Sequence, residues 1–231
     1  MSANWITINT PQGDSFSAHL ALPPTGRGPG IVLIQEIWGV NEHIRAVAEQ
    51  YALAGFVVLA PDIFWRQQPH LSLDYDQAGS ARAFELYGQV DKAKAAADVA
   101  ATVAHLRSLP QLDGKVATLG FCLGGLLAYH GGILAKADAI VAYYGGGIAQ
   151  HLALAAELTQ PVLFHHGGLD SHITQDQVDQ IKQAFQGRSN ATFFDYPQAE
   201  HGFNCWGRPM YRQRDAALAQ GRTLQFLAGQ L

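Results

Sequence analysis

The sequence predicts an α/β fold in which a mostly parallel central sheet carries helices on both faces. Two short runs, residues 31–34 and 56–60, are wholly apolar, as is typical of parallel strands buried on both sides. From residue 31 onward such runs alternate with segments of helical pattern, and this alternation indicates βα units. In addition, a strand-like run leads into a Gly-rich turn at 120–125 and then into an apolar helix.

The individual elements follow from apolar runs and from turn residues. Pro and Gly at 11–14 join two β-like runs into a hairpin, and Gly55 and Pro110 end two helices. The predicted strands are 5–9, 16–22, 31–34, 56–60, 116–119, 139–144, 161–166 and 191–196. The predicted helices are 42–54, 92–109, a helix that opens after the turn at 120–125, 148–158, 174–185 with Thr174 as N-cap, and 209–228.

Residues 63–90 interrupt the alternation. The segment is polar and irregular, yet it contains aromatic residues that include Trp65, Phe84 and Tyr87. A long excursion between sheet elements is usually functional or disordered, and the aromatic content favours order. We therefore predict one domain over residues 1–231, in which 63–90 form a partly helical insertion that covers a site.

Composition argues against several classes of function. The 231 residues carry a formal net charge of −4, so there is no electrostatic case for binding nucleic acid or an anionic membrane. No stretch resembles a signal peptide or a membrane span. Cys122 and Cys205 fit a reducing compartment better than a disulfide, and no zinc or phosphate-binding motif occurs. We expect a cytoplasmic protein, monomeric rather than oligomeric, that acts on a small molecule without a metal or cofactor.

The turn at residues 120–125 reads Gly-Phe-Cys-Leu-Gly-Gly, which has the form G-x-C-x-G. This is the nucleophile elbow of α/β-hydrolases with cysteine in place of serine. Small residues are needed on both sides because the turn is strained and neighbouring backbones come close. The turn places Cys122 at a helix N-terminus, where the dipole favours a thiolate. The alternative is a Gly-rich turn with a buried, inert cysteine.

Two further residues complete a catalytic order. In α/β-hydrolases the nucleophile, the acid and the histidine follow one another along the chain, and here Cys122, Asp170 and His201 each follow a predicted strand. Sites of open α/β sheets lie beyond the carboxyl ends of the strands, so the three side chains can converge. Asp195 is a rival acid, but it lies within a strand. His172 is a rival base, but it is too close in sequence to Asp170 to sit opposite it.

Glu36 follows the apolar strand at 31–34. A carboxylate in such a place is either satisfied by a structural partner or takes part in chemistry. If it approaches Cys122, it can accept the thiol proton. The backbone N–H of Ile37 is then the natural partner of the Leu123 N–H in an oxyanion hole.

Together these residues resemble the dienelactone hydrolase family, also called the carboxymethylenebutenolidases. The likeness runs from the strand at residue 31 to the closing helix. The motifs that carry it are QEIWG at 35–39, APD at 60–62, GFCLGG at 120–125, YYG at 143–145, HGGLD at 166–170 and EHGF at 200–203.

The resemblance implies an α/β-hydrolase fold and a cysteine hydrolase. The reaction would open a carboxylate-bearing enol lactone through a thioester, in the breakdown of aromatic compounds. Its nucleophile, base and orienting acid would be Cys122, His201 and Asp170. Glu36 would activate the thiol when the substrate carboxylate arrives, which would protect the cysteine from oxidation between turnovers.

The family's lactone hydrolases hold the substrate carboxylate with two arginines, one in the insertion and one shortly after the catalytic histidine. Arg82 and Arg208 are the candidates here, although neither stands at quite the family's spacing. Phe84 and Tyr87 match an aromatic pair of the insertion only loosely. The remaining predicted substrate contacts are Trp38 and Tyr144.

Two other functions stay open at the level of sequence. One is a broad-specificity carboxylesterase of the same fold, which would not require a carboxylate on its substrate. The other is a non-catalytic protein that binds a small molecule on a hydrolase scaffold, although the complete catalytic order argues against it. Cys205 follows His201 closely, and we interpret it as a small packing residue.

Overall fold

The computed structural model describes residues 4–231, which form one sheet of eight strands. The strands are β1 (Asn4–Asn9), β2 (Ser15–Ala21), β3 (Gly28–Ile34), β4 (Val57–Pro61), β5 (Leu112–Phe121), β6 (Ala139–Tyr143), β7 (Val162–Gly167) and β8 (Ala191–Tyr196). Their order in the sheet is β1-β2-β4-β3-β5-β6-β7-β8. β2 is antiparallel to both of its neighbours, and the other neighbours run parallel. The predicted mostly parallel sheet is confirmed.

Six α-helices lie between residues 4 and 231, and they cover both faces of the sheet. They are α1 (Glu42–Leu53), α2 (Gln77–Tyr87), α3 (Lys92–Ser108), α4 (Leu123–Leu134), α5 (Gln175–Ala184) and α6 (Gln213–Gln230). Successive residues of β3 point to opposite faces: Leu33 packs in a cluster with α1 and α6, and Val32 packs with α2, α3 and α4. None of the helices in residues 4–231 has the length and hydropathy needed to cross a membrane.

Side-chain caps fix where the helices begin. The Asn41 carboxamide accepts a hydrogen bond from the Ile44 N–H at the start of α1 (3.2 Å), and the Asp91 carboxylate accepts from the first turn of α3. The predicted cap at Thr174 is present, as part of a reciprocal capping box with Gln177. Such caps satisfy N–H groups that have no partner within the helix.

One segment that was predicted to be an ordinary helix forms a 3₁₀ helix instead. Residues 148–158 were predicted to be helical, and the structure has a 3₁₀ helix, Ile148–Ala156, with a kink at His151. Gly147, which precedes it, has a φ of 101° and supplies no side-chain hydrogen bond. Without a cap, and with a non-helical residue in its middle, this segment does not form a regular α-helix.

The closing helix begins later than predicted, at Gln213 rather than at 209. The N–H of Arg212 donates to the carbonyl oxygen of Phe203 (3.0 Å), which keeps the intervening residues in a turn. Within the segment 63–90, α2 supplies the expected helical part.

The carboxyl ends of β3, β5, β7 and β8 lie at one edge of the sheet because these strands run parallel. The residues that follow these ends are Glu36, Cys122, Asp170 and His201, respectively. The topology therefore brings the residues that the sequence singled out to the same edge, where open α/β sheets carry their ligand sites.

The close approach of β5 to α4 gives a stability prediction. A Cβ atom at Gly120 would lie 2.0 Å from the carbonyl oxygen of Gly124. We expect Gly120→Ala to lower the free energy of unfolding by about 2–3 kcal/mol, because the backbone must move to accept the methyl group. Chemical denaturation would measure the change.

The matched control is Gly221→Ala in α6, where an added Cβ meets no atom within 4 Å. We expect it to raise the free energy of unfolding by about 0.5–1 kcal/mol, because alanine favours the helix. Wild-type stability of Gly120→Ala would contradict the close approach of the two backbones.

Candidate active site

Cys122 occupies the sharp turn between β5 and α4, with φ 56° and ψ −117°. This region is unfavourable for a residue with a side chain, so neighbouring backbone must hold it. The Cys122 N–H donates to the Tyr143 carbonyl oxygen (3.1 Å), and its own carbonyl accepts from the Gly125 N–H (3.0 Å). Gly124 lies against the end of β3, since a Cβ there would be 2.2 Å from the Ile34 carbonyl oxygen. The turn presents a partly exposed thiol at the N-terminus of α4.

His201 and Asp170 form a buried pair beside this turn. The His201 Nδ1 atom lies 2.8 Å from Asp170 Oδ2. The other carboxylate oxygen of Asp170 accepts hydrogen bonds from the N–H groups of His172 (2.8 Å) and Ile173 (2.9 Å). Because both oxygens are engaged, the carboxylate is fixed in place, and it in turn orients the imidazole so that Nε2 is free to exchange a proton.

The surroundings of His201 favour its protonated form. Burial lowers the pKa of His201, but the negative charge of Cys122 and hydrogen bonds with Asp170 and Cys122 raise it, and the pKa of His201 rises to about 10. A histidine in such a place accepts a proton readily from a thiol and holds it. The arrangement can therefore support a thiolate–imidazolium pair.

Glu36 is buried and paired with Arg208. The Arg208 Nη1 atom donates to Glu36 Oε1 at 3.1 Å, and the guanidinium lies over the ring of Trp38, 4.7 Å from its centroid. Gly202 makes room for this arginine, because a Cβ there would lie 2.3 Å from Nη1. The cation is thus held between a carboxylate and an aromatic face at the edge of the sheet.

The second carboxylate oxygen of Glu36, Oε2, has no hydrogen-bond partner among residues 4–231. Burial raises the pKa of Glu36, whereas the positive charges of Arg208 and His201 and hydrogen bonds from Arg208 and Cys205 lower it, and the net change is upward. The structure contains no hydrogen bond between Glu36 and Cys122 within the described chain. Glu36 is therefore held by Arg208 here, and its approach to the thiol stays a prediction.

Ile37 and Leu123 line the same cleft as Cys122. Ile37 follows β3 and Leu123 is the first residue of α4, where an N–H has no partner within the helix. Neither N–H donates to any acceptor in residues 4–231. Two free N–H groups beside a nucleophile are the usual composition of an oxyanion hole, and this assignment also stays a prediction.

The cleft has a volume of about 330 Å³, which is in the range of small-molecule sites. Trp38, which follows β3, lines it together with Phe84 and Tyr87 of α2. The remaining lining residues are Ile37, Lys92, Cys122, Leu123, Gly146, Gly147, Gln150, His172, His201 and Arg208. The insertion therefore supplies aromatic residues to the lining of this cleft, and its role as the cover of a catalytic site stays a prediction.

Two of the predicted substrate contacts do not line this cleft. The Arg82 guanidinium is engaged by Glu85 (2.7 Å) and by Gln68 (2.9 Å) instead. Tyr144 is fully buried behind the cleft, with its ring centroid 5.1 Å from that of His201. Tyr144 therefore packs edge-on against the His201 imidazole and presents no surface to a ligand in this cleft.

Lys92 and His172 belong to the cleft, although they were not selected from the sequence. The His172 ring lies 4.8 Å from the His201 ring, so its closeness in sequence to Asp170 brings it into the site rather than excluding it. Lys92 is the first residue of α3. A lysine in the first turn opposes the helix dipole, and this was the one signal in the sequence that could have marked it.

The rival residues have structural partners elsewhere. Asp195 pairs with Lys182, and one of its oxygens lies 3.9 Å from His166. Cys205 is fully buried, and burial, followed by the charge of Glu36, raises the pKa of its thiol to about 12, so it is a poor nucleophile. The described residues contain no group of three or more side chains that could hold a metal ion.

The parallel sheet, the strained elbow and the His–Asp pair at its carboxyl edge define an α/β-hydrolase. The family model that matches the chain, over residues 16–231, is that of the dienelactone hydrolase family. The chain belongs to this family, and it is a hydrolase that acts on ester or lactone bonds.

Known relatives cover nearly the whole chain. A carboxymethylenebutenolidase from a Pseudomonas species is 36% identical over 98% of this chain and 95% of its own length. Carboxymethylenebutenolidase 1 of Cupriavidus pinatubonensis is 32% identical over 99% of this chain and 97% of its own length. A solved structure from Klebsiella pneumoniae, provisionally assigned as a dienelactone hydrolase, is 27% identical, with a TM-score of 0.84 and 98% coverage of both chains.

The Glu36–Arg208 pair gives a prediction for stability. We expect Arg208→Met to lower the free energy of unfolding by about 3 kcal/mol, because it leaves a buried carboxylate without its counter-ion. Without Arg208 the folded-state pKa of Glu36 rises further. The loss is therefore small at acid pH, below the ordinary pKa of glutamate, and reaches its full size as the pH rises through the folded-state pKa. Denaturation at several pH values would measure it.

The double variant Glu36→Gln/Arg208→Met should recover most of this loss, since no buried charge remains. Arg212→Met is the matched control, because Arg212 pairs with Asp215 on the surface (2.9 Å). Its removal should change the free energy of unfolding by less than about 1 kcal/mol. A pH-independent loss in Arg208→Met would show that packing on Trp38, and not the ion pair, is what the variant removes.

Proposed function

We propose that this chain is a cysteine-dependent hydrolase of small lactones and esters that works through a thioester at Cys122. The observation that carries the proposal is the position of His201 between its acid partner and the cleft. Its Nδ1 atom is 2.8 Å from Asp170, and His201 and Cys122 line the same cleft. A nucleophile, a base and a residue that orients the base are thereby adjacent at one end of a small-molecule cleft.

The reaction follows from these positions. The thiol proton of Cys122 passes to Nε2 of His201, and the sulfur attacks the carbonyl carbon of the substrate. The N–H groups of Ile37 and Leu123 stabilise the negative oxygen of the tetrahedral intermediate. The intermediate collapses to a thioester as the C–O bond to the leaving oxygen breaks, and the imidazolium gives its proton to that oxygen. In a lactone, the released hydroxyl or enol remains part of the same molecule.

Deacylation uses the same groups in the reverse sense. His201 takes a proton from a water molecule, whose oxygen attacks the thioester carbonyl carbon. The second tetrahedral intermediate expels the sulfur, which recovers its proton from the imidazolium. Asp170 keeps its charge throughout and holds the imidazole in the tautomer that both steps need.

The contact between Glu36 and Arg208 supports a carboxylate-bearing substrate. Arg208 lines the cleft, and its partner Glu36 has one oxygen without a hydrogen bond in residues 4–231. A substrate carboxylate that pairs with Arg208 competes with Glu36. The displaced carboxylate can then turn towards Cys122, take the thiol proton first and pass it to Nε2 of His201, so that the thiol is activated when substrate is present. The relatives described above are named carboxymethylenebutenolidases, and this name agrees with an enol lactone as substrate.

A broad-specificity carboxylesterase is the second candidate, and one observation favours it. Arg82, the expected second arginine for the substrate carboxylate, is engaged by Glu85 instead of lining the cleft. An enzyme of this kind would hydrolyse neutral and anionic esters of similar size with similar kcat/KM.

The thioester is tested by Cys122→Ala and by mass spectrometry. We expect the variant to lose hydrolysis of both a dienelactone and p-nitrophenyl acetate by about a thousandfold or more, because the nucleophile is gone. Brief incubation of the wild-type protein with p-nitrophenyl acetate should add one acetyl group to the peptide that contains Cys122.

Cys205→Ala, which removes the other cysteine, should keep the acetyl adduct. Undiminished turnover of either substrate by Cys122→Ala would contradict the proposal. Absence of any acyl adduct and of turnover on a panel of esters would favour a non-catalytic binding protein.

A second prediction concerns the His201–Asp170 pair. We expect Asp170→Asn to lower kcat/KM by about a hundredfold or more, because the base loses its orienting partner. The hydrogen bond with Asp170 raises the pKa of His201, so its loss lowers that pKa, and the alkaline limb of the pH–rate profile should move to lower pH. Asp195→Asn is the matched control and should leave the profile in place. An unmoved alkaline limb in Asp170→Asn would contradict the role of the pair.

A further inference from the structure

The positively charged side chains in and around the cleft differ in whether a carboxylate pairs with them. Arg208 donates to Glu36 at 3.1 Å, and Arg82 is held outside the lining by Glu85 at 2.7 Å. Lys92, in contrast, lines the cleft and has no carboxylate within salt-bridge distance in residues 4–231. Lys92 is therefore the cleft cation whose charge is available to a ligand.

The ammonium group of Lys92 is held towards the cleft by an aromatic neighbour. Its Nζ atom lies 5.6 Å from the centroid of the Tyr87 ring, and Tyr87 belongs to the same cleft. A cation over an aromatic face is attracted to it, so the flexible lysine side chain has a preferred direction. Lys94, two residues further along α3, lies instead beside Asp91 at 4.0 Å and lines a separate cavity with Arg66.

The placement of Lys92 is unfavourable for the helix that carries it. It is the first residue of α3, where the N-terminal end of the helix is already positive, and the carboxylate of the N-cap residue Asp91 is engaged by the N–H groups of Ala93 and Lys94 and by the Lys94 ammonium group. The positive charge of Lys92 also acts on a neighbouring histidine: burial, and then the positive charges of His151 and Lys92, lower the pKa of His130 to about 4. An anion at this side of the cleft relieves this repulsion between like charges.

We propose that Lys92 is a specificity-determining residue, whose ammonium group binds the carboxylate of the substrate alongside Arg208. It thereby takes the role that was predicted for Arg82. The cleft then selects small esters or lactones whose carboxylate reaches the opening between α2 and α3. This inference rests on the proposed hydrolysis at Cys122, and it adds the residue that distinguishes anionic from neutral substrates.

The test compares two esters of equal chain length, mono-p-nitrophenyl glutarate, which is anionic, and p-nitrophenyl valerate, which is neutral. We expect Lys92→Met to raise KM for the glutarate ester about five- to tenfold with little change in kcat, as expected for the loss of a partly exposed charge pair. KM for the valerate ester should change less than about twofold. Lys92→Arg should retain the preference for the anion.

Matched controls exclude a general effect of charge or structure. Lys94→Met removes the same charge from the same helix, and Arg82→Gln removes the arginine of the insertion; both should keep the preference for the glutarate ester. Raising the ionic strength from about 0.05 to about 0.5 M should weaken the preference of the wild-type protein but not that of Lys92→Met, because salt screens an exposed pair. The unfolding midpoint of Lys92→Met should equal or exceed that of the wild-type protein.

The possible outcomes distinguish the role of Lys92 from the proposed hydrolysis at Cys122. Equal effects of Lys92→Met on both esters, or loss of preference in Arg82→Gln alone, would overturn the role of Lys92 while leaving hydrolysis at Cys122 intact. Turnover that survives Cys122→Ala would overturn the proposed function, whatever Lys92 does to the two KM values. Absence of turnover of both esters by the wild-type protein would overturn both.

Discussion

The strained turn at Cys122 is the constraint on which the rest of the site depends. A side chain at a φ of 56° is unfavourable, so the backbone around it must leave no alternative. Glycine at 120 and 124 permits that, because β5, α4 and the end of β3 approach within distances that no Cβ atom would allow. This packing fixes the thiol above the sheet edge and brings the end of β3, with Ile37, beside the first N–H of α4. The proposed nucleophile and the proposed oxyanion donors are thus positioned by one set of backbone contacts.

Two buried carboxylates at this edge are held in different ways, and the difference fits the separate roles proposed for them. Both oxygens of Asp170 are engaged, by His201 and by two backbone N–H groups, so this carboxylate cannot move without losing three hydrogen bonds. Glu36 has one strong partner, Arg208, and one oxygen without any in the described chain. Burial of a partly satisfied charge is costly, which makes Glu36 the group whose position a new anion near Arg208 would change. A fixed acid suits orientation, whereas a displaceable one suits activation.

The sequence predicted the parts of this site that lie on strand ends. Cys122, Asp170 and His201 follow β5, β7 and β8, and the parallel order of the sheet brings them together without any side-chain detail. Arg82 and Tyr144 were the misplaced residues, and for Arg82 the reason is that its direction depends on the rotation of α2 and on the nearby Glu85, neither of which the motif spacing specifies. The 3₁₀ segment after Gly147 was missed for a similar reason, since its apolar pattern resembles that of a helix and only the uncapped start distinguishes it.

For a similar reason, the cations of the cleft were the residues of the site that were hardest to predict from the sequence. A catalytic base must meet its nucleophile within hydrogen-bond distance, so few positions in the fold can supply it. A cation that attracts a carboxylate acts over a longer range and sits on a flexible side chain, so several positions along α2 and α3 can supply it. Lys92 and Arg82 occupy two such positions, and local partners decide between them: Glu85 neutralises Arg82, whereas Tyr87 supports Lys92 without neutralising it. In the proposed function, the residue that selects for substrate charge can therefore lie at different positions along α2 and α3, whereas Cys122, Asp170 and His201 stay where the strands place them.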